Sequence, residues 1–115
     1  MNPEPFCVNL GGEGEIVDAW NQQPPFATDA NWRSTTIRNR NKTIAELESE
    51  GHSFIICPND RLSFDAESVD VVYTNNVPID RVTHLGPSPQ TSEIQRILKP
   101  SGVWMHDGQI RWRKP

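Results

Sequence analysis

The stretch Thr91–Gly108, "TSEIQRILKPSGVWMHDG", decides the fold. Its first half places Ile94, Ile97 and Leu98 at three-to-four-residue spacing, which predicts a helix with one buried stripe. Ser92 stands where a capping hydroxyl belongs. Pro100 ends the helix, since proline has no N–H to donate and its ring clashes with the preceding turn. The second half, from Gly102, runs apolar on consecutive positions and predicts a strand covered on both faces.

The same pattern recurs toward the N-terminus. "FCVNL" is an apolar run closed by glycines, and "VDAW" is a second strand stopped by "NQQPP". "NKTIAELESEG" predicts a helix from Asn41 or Thr43, with Ile44 and Leu47 on one face and Gly51 as its stop. "SFIIC" and "VDVVYTN" complete five strands, and residues 24–36 read as loop. Strands without polar alternation, separated by helices or long loops, predict an α/β fold. Its core is a small, mainly parallel sheet of about five strands with flanking helices. No closing strand is expected after the fifth. The carboxyl ends of the strands form the ligand edge of such a sheet. That edge collects Gly11–Glu15, Gln22 and Gln23, Asn59 and Asp60, Asn75–Asp80, and His106–Gly108.

The 115 residues fit one domain, 1–115, with ten prolines and 35% hydrophobic content. No apolar run nears the roughly 20 residues of a membrane helix, and no signal-peptide pattern is visible. Cys7 and Cys57 lie in apolar runs without metal-like spacing and read as small buried thiols rather than a disulfide scaffold. A net charge of −4 argues against binding nucleic acid over the whole surface. The charge is uneven, however. Arg33, Arg38, Arg40 and Lys42 stand together without an acid, and "IRWRKP" forms a second basic patch in the tail. Either patch suits a positioned polyanion contact or ordinary solvated charge.

Three motifs resemble class I S-adenosylmethionine methyltransferases. "VNLGGEGE" stands at their glycine-rich loop, "RLSFDAESVDVVYTNNVPID" is similar to the segment leading into their catalytic loop, and "EIQRILKPSGVWM" is similar to their late helix, turn and strand. The resemblance implies a truncated Rossmann/methyltransferase-like fold. The departures lie at the cofactor. Asn9 replaces the acid at the end of the family's first strand, and Asn21, Gln22 and Gln23 replace its ribose-holding acid, although Asp60 matches its adenine-side acid. These departures imply that S-adenosylmethionine binding is lost and that no cofactor is used.

A narrower resemblance is to the C-terminal toxin domains of bacterial polymorphic toxins, of the Rhs and contact-dependent-inhibition types, with a reduced methyltransferase-like fold. It rests on the Gly-Gly-Glu-Gly-Glu loop, "NNVPI" after the fourth strand, and the short Leu-Lys-Pro ending. It implies a domain from the C-terminus of a larger secreted or cell-surface effector, delivered into a target-cell cytoplasm. The implied activity is a ribonuclease cleaving transfer RNA or other RNA, held in check by a cognate immunity protein, with no membrane or DNA partner. The alternatives are a small or fragmentary methyltransferase and a non-catalytic binding remnant.

Metal-free RNA cleavage needs a base for the 2′-hydroxyl, an acid for the leaving oxygen, and a cation for the phosphorane. Glu13 and Glu15 make little sense against phosphate but suit a base or an orienting partner. His84, with Asp80 as partner, and His106, beside Asp107, are the candidate acid and base, while His52 lies away from the edge. Arg33, Arg38, Arg40 and Lys42 suit phosphates, and Asn75 and Asn76 suit base edges. Trp32 and Trp112 can stack on bases or serve the core, and Trp104 reads as core. Asp60, Asp65 and Asp70 do not converge as a metal site, and Asp70 reads as serving the strand entry. A serine-hydrolase elbow is absent.

Overall fold

The computed structural model describes residues 5–11, 19–22, 43–84 and 86–115. In chain order the elements are β1 (Cys7–Leu10), β2 (Ala19–Gln22), α1 (Ile44–Ser49), β3 (Ser53–Ile56), β4 (Val69–Thr74), β5 (Val82–Thr83), β6 (Gly86–Pro87), α2 (Thr91–Ile97), β7 (Leu98–His106) and β8 (Gln109–Arg113). Six strands form one sheet in the order β3-β2-β1-β4-β7-β8, and β5 and β6 form a separate hairpin. The pairings among β3, β2, β1, β4 and β7 are all parallel, and β8 returns antiparallel to β7. The protein is therefore α/β with a mainly parallel sheet, as expected. The order is that of a doubly wound sheet, with its reversal between β1 and β4.

Both sheet faces are covered, which explains the missing polar alternation. Side chains alternate across a strand. Val8, Leu10 and Val72 turn to the face where Ile94 and Ile97 of α2 pack. Cys7 and Tyr73, one position out of phase, pack with Leu47 of α1. Thr43 caps α1 by accepting from the Glu46 N–H at 3.1 Å, and Gly51 (φ +97°) lets the chain leave the helix.

Three expectations change. The tail is not a loose basic patch: "QIRWR" is β8, so the sheet has six strands, not about five. Asp107 (φ +49°) and Gly108 (φ +82°) make the two-residue turn from β7 to β8, and an Asp-Gly pair suits a hairpin because both residues need positive φ. β3 is not buried on both faces; it is the sheet's end strand among the described residues, and Ile56 is 51% exposed. Ser92 does not cap α2. The helix begins at Thr91, and its first N–H is met at 2.7 Å by the carboxylate of Asp80, eleven residues upstream.

Two ion pairs hold the core's entrances. Arg96 bonds Glu93 and the carbonyls of Leu62 and Phe64, while Glu93 accepts from the Leu62 N–H at 2.8 Å, so the loop before β4 is fastened to α2. Asp70 accepts from the Phe6 N–H at 2.9 Å and pairs with Lys99 at 3.4 Å, serving the entry to β1. Gly102 has no space for a side chain: a Cβ would lie 2.8 Å from the Lys99 carbonyl oxygen and 3.1 Å from that of Asp70.

Candidate functional site

The carboxyl ends of β4 and β7 meet in one polar corner. Thr74 ends β4, His106 ends β7, and the two are register partners, so their side chains lie side by side. Trp104, two positions before His106, shares that face. Its indole N–H donates to Thr74 Oγ1 at 2.8 Å inside the core, and Thr74 Oγ1 lies 2.8 Å from His106 Nδ1. The other ring nitrogen, Nε2, is 3.3 Å from Asp107 Oδ2. The side chains of His106 and Asp107 are 21% and 57% exposed, so the chain of contacts begins in the core and ends in solvent.

The turn geometry places the carboxylate. Asp107 donates its N–H to the Thr74 carbonyl at 3.0 Å, and Asp107 Oδ1 accepts from the Asn76 N–H at 2.6 Å. Asn76 has φ +57°, a conformation asparagine tolerates better than most side chains. Asp80 lies next along this segment. Both its oxygens are engaged by Thr91, at 2.7 Å from the N–H and 2.6 Å from the hydroxyl. The Thr91 hydroxyl and then its N–H hold the Asp80 carboxyl below the usual range, against the opposing effect of burial, with the charge of Arg111 the least of the four causes. The Arg111 guanidinium sits 4.8 Å from the centre of the Trp104 ring, a cation–π contact that brings one positive charge to the corner.

At the carboxyl ends of β1 and β2 the polar groups are closed in. Asn21 is fully buried. Its Oδ1 accepts from the Gly11 N–H at 2.6 Å, and its Nδ2 donates to Asn59 Oδ1 at 2.5 Å and, at 3.4 Å, toward the Cys57 carbonyl. Asn59, also buried, donates in turn to the Pro87 carbonyl at 3.2 Å, tying the β5–β6 hairpin to the sheet. Gly11 takes φ +68° against Val77. This is where the methyltransferase resemblance puts the ribose-holding acid.

Of the residues singled out in the sequence, the structure brings Asn75, Asn76 and His106 to the corner. Asp80 is at its flank, bonded to Thr91 and not, among the described residues, to His84. His84 is exposed in the turn between β5 and β6, and His52 lies at the opposite, amino end of β3. Glu13, Glu15, Arg33, Arg38, Arg40, Lys42, Trp32 and Gln23 lie outside the described residues. Cys57 is buried, Cys7 is half-buried, and neither is in a disulfide. Trp112 packs against the core. Thr74 is the corner residue that sequence reasoning passed over, and Arg111 was read only as part of a basic tail patch, not as a member of this corner. The signal available for Arg111 was the Asp-Gly turn, which folds "QIRWR" back onto β7. Thr74 gave none without the strand register.

No protein-family profile matches the chain. No curated protein matches it either. Among solved structures, it is similar to a chain of the complex between the Haloferax volcanii Trm112 methyltransferase activator and a candidate methyltransferase. The match has 19% identity and a TM-score of 0.47, and covers 87% of this chain and 42% of that one. The chain thus spans less than half of that solved chain.

Proposed function

We propose that the domain is a metal-independent ribonuclease on a pared-down methyltransferase-like scaffold, with its reaction at the β4–β7 corner. The observation that carries this reading is the His106–Asp107 pair, anchored from the core by Thr74 and Trp104 and open to solvent on its outer side. A carboxylate and an imidazole at one strand edge, with the Arg111 cation beside them, are the group types that attack by a 2′-hydroxyl requires. Transfer RNA is the substrate class, and a cognate immunity protein and delivery into another cell's cytoplasm belong to the same reading.

In this reading S-adenosylmethionine is not used. The ribose anchor of the family is an acid with free oxygens. Here Asn21, Gln22 and Gln23 stand in its place, and Asn21 is fully buried with its amide oxygen and nitrogen both engaged, which supports a reading without that cofactor. No step of the proposed chemistry passes through that cofactor.

The test is incubation of the purified domain with total bacterial RNA under chelation, read on a denaturing gel. Discrete fragments that vanish with His106→Ala and Asp107→Ala but persist with His84→Ala support the reading. Fragments that vanish with His84→Ala alone would move the reaction to the hairpin. Intact RNA with the unmodified domain rejects the ribonuclease reading.

A small methyltransferase is the second reading. It is favoured by the doubly wound strand order and by Gly11 with its positive φ at the point where that order reverses. Calorimetry with S-adenosylmethionine separates the two: micromolar binding restores the methyltransferase, and no heat leaves it without support.

A further inference from the structure

The corner fixes a proton as well as positions. An indole nitrogen only donates, so the 2.8 Å contact between Trp104 and Thr74 makes Thr74 Oγ1 the acceptor. Thr74 is fully buried, so its hydroxyl proton is not served by solvent. Among the described residues the acceptor in reach of that proton is His106 Nδ1, at 2.8 Å. A buried hydroxyl proton left unpaired is costly, and native structures avoid it. The donor direction therefore runs from Trp104 to Thr74 to His106. Nδ1 accepts, and the neutral ring carries its proton on Nε2, the nitrogen that faces Asp107 Oδ2 at 3.3 Å.

We propose that Thr74 is a positioning residue that holds His106 as a neutral Nε2–H donor toward the corner. His106 then meets a substrate oxygen through a hydrogen bond and does not itself take the proton, because the one basic lone pair of the neutral ring is turned inward to Thr74. A neutral imidazole that polarises an oxygen in this way is an established catalytic device. The role toward RNA rests on the ribonuclease reading, whereas the proton's position stands without it.

The experiment uses the full chain labelled with nitrogen-15 and reads the His106 ring in long-range proton–nitrogen spectra. The expected result is a protonated Nε2 and an unprotonated Nδ1 in the unmodified protein and in Thr74→Ser. Thr74→Val is expected to shift the ratio toward the Nδ1–H form by about fivefold or more, the scale set by one lost buried hydrogen bond. An Nδ1–H ring in the unmodified protein overturns the proposal, as does a Thr74→Val ratio equal to the unmodified one. If Thr74→Val does not fold, the unmodified and serine spectra decide. In the RNA assay His106→Gln, which keeps a neutral N–H, is expected to retain about tenfold more cleavage than His106→Ala, a part of the roughly hundredfold or more that a lost oxyanion donor costs. Glutamine as inactive as alanine overturns the donor role. If the unmodified domain leaves RNA intact, the ribonuclease reading falls and takes the donor role with it, while the spectra still judge Thr74.

Discussion

Two polar clusters sit on the same edge of the sheet and do opposite things. At the ends of β1 and β2, Asn21 and Asn59 turn inward and spend their amides on each other, on Gly11 and on Pro87. At the ends of β4 and β7, Thr74 also turns inward, but the contacts continue outward through His106 to an exposed carboxylate. The first cluster closes the sheet edge. The second ends in solvent. A polar residue at a strand end is therefore not in itself a site; what matters is whether its hydrogen bonds end inside the protein.

The largest effect that would sharpen this contrast is on activity. His106→Ala should cut RNA cleavage by about a hundredfold or more, the scale of losing one acid, base or oxyanion donor. Its unfolding free energy should fall less than that of Asn21→Ala, by about 1–3 kcal/mol for the one Thr74 hydroxyl it strands. Equal losses of cleavage and stability would make the corner another structural lock. Asn21→Ala should do the reverse. It strands the half-buried Gly11 N–H and the buried Asn59 amide oxygen, at about 1–3 kcal/mol for each group, and should lower unfolding free energy by roughly 2–6 kcal/mol. A near-neutral Asn21→Ala in a denaturant titration would break the comparison.

Next in size is Gly102→Ala. The added methyl meets two carbonyl oxygens and should cost about 1–3 kcal/mol in the same titration. It tests whether the irregular stretch of β7 before Val103, which aims Trp104 and His106, is as tight as it looks.

The smallest effect is on pH dependence. Asp70, Asp80 and Glu93 all lie below the ordinary carboxylate range, held there chiefly by the Phe6 N–H, the Thr91 hydroxyl and Arg96 respectively. Groups depressed by folding contribute stability above their unfolded values, and that contribution is lost as pH falls through the folded values. The melting temperature should therefore drop as pH falls below about 4, and Glu93→Gln should flatten part of that drop. An unchanged slope in Glu93→Gln would mean that the clamp between α2 and the loop before β4 contributes little.

The sheet was readable from the sequence because burial on both faces removes polar alternation, and β1, β4 and β7 carry that mark plainly. β8 was missed for the opposite reason. "QIRWR" is charged and largely exposed, so its composition reads as tail, and the information lay in Asp107–Gly108, where two positive-φ residues demand a hairpin. Asp80 was read as a partner for histidine because sequence distance favoured it. It became a helix cap instead because its own turn brings it to the start of α2. Asn21 illustrates the limit most clearly. That an asparagine stands where the methyltransferase resemblance expects an acid was visible, but its burial in an amide network depends on β3 and the hairpin arriving from elsewhere in the chain. Glu13 and Glu15 stand as sequence expectations for the same edge, and the basic residues from Arg33 to Lys42 as expectations for phosphate contact.

Trp104 answers to two demands at once. Its carbon frame fills the core and its nitrogen holds Thr74. Phenylalanine meets the first demand and histidine part of the second, but neither meets both. In evolutionary terms position 104 is pinned twice, so drift in the hydrophobic interior and drift in the chemistry at the sheet edge cannot proceed independently in this fold.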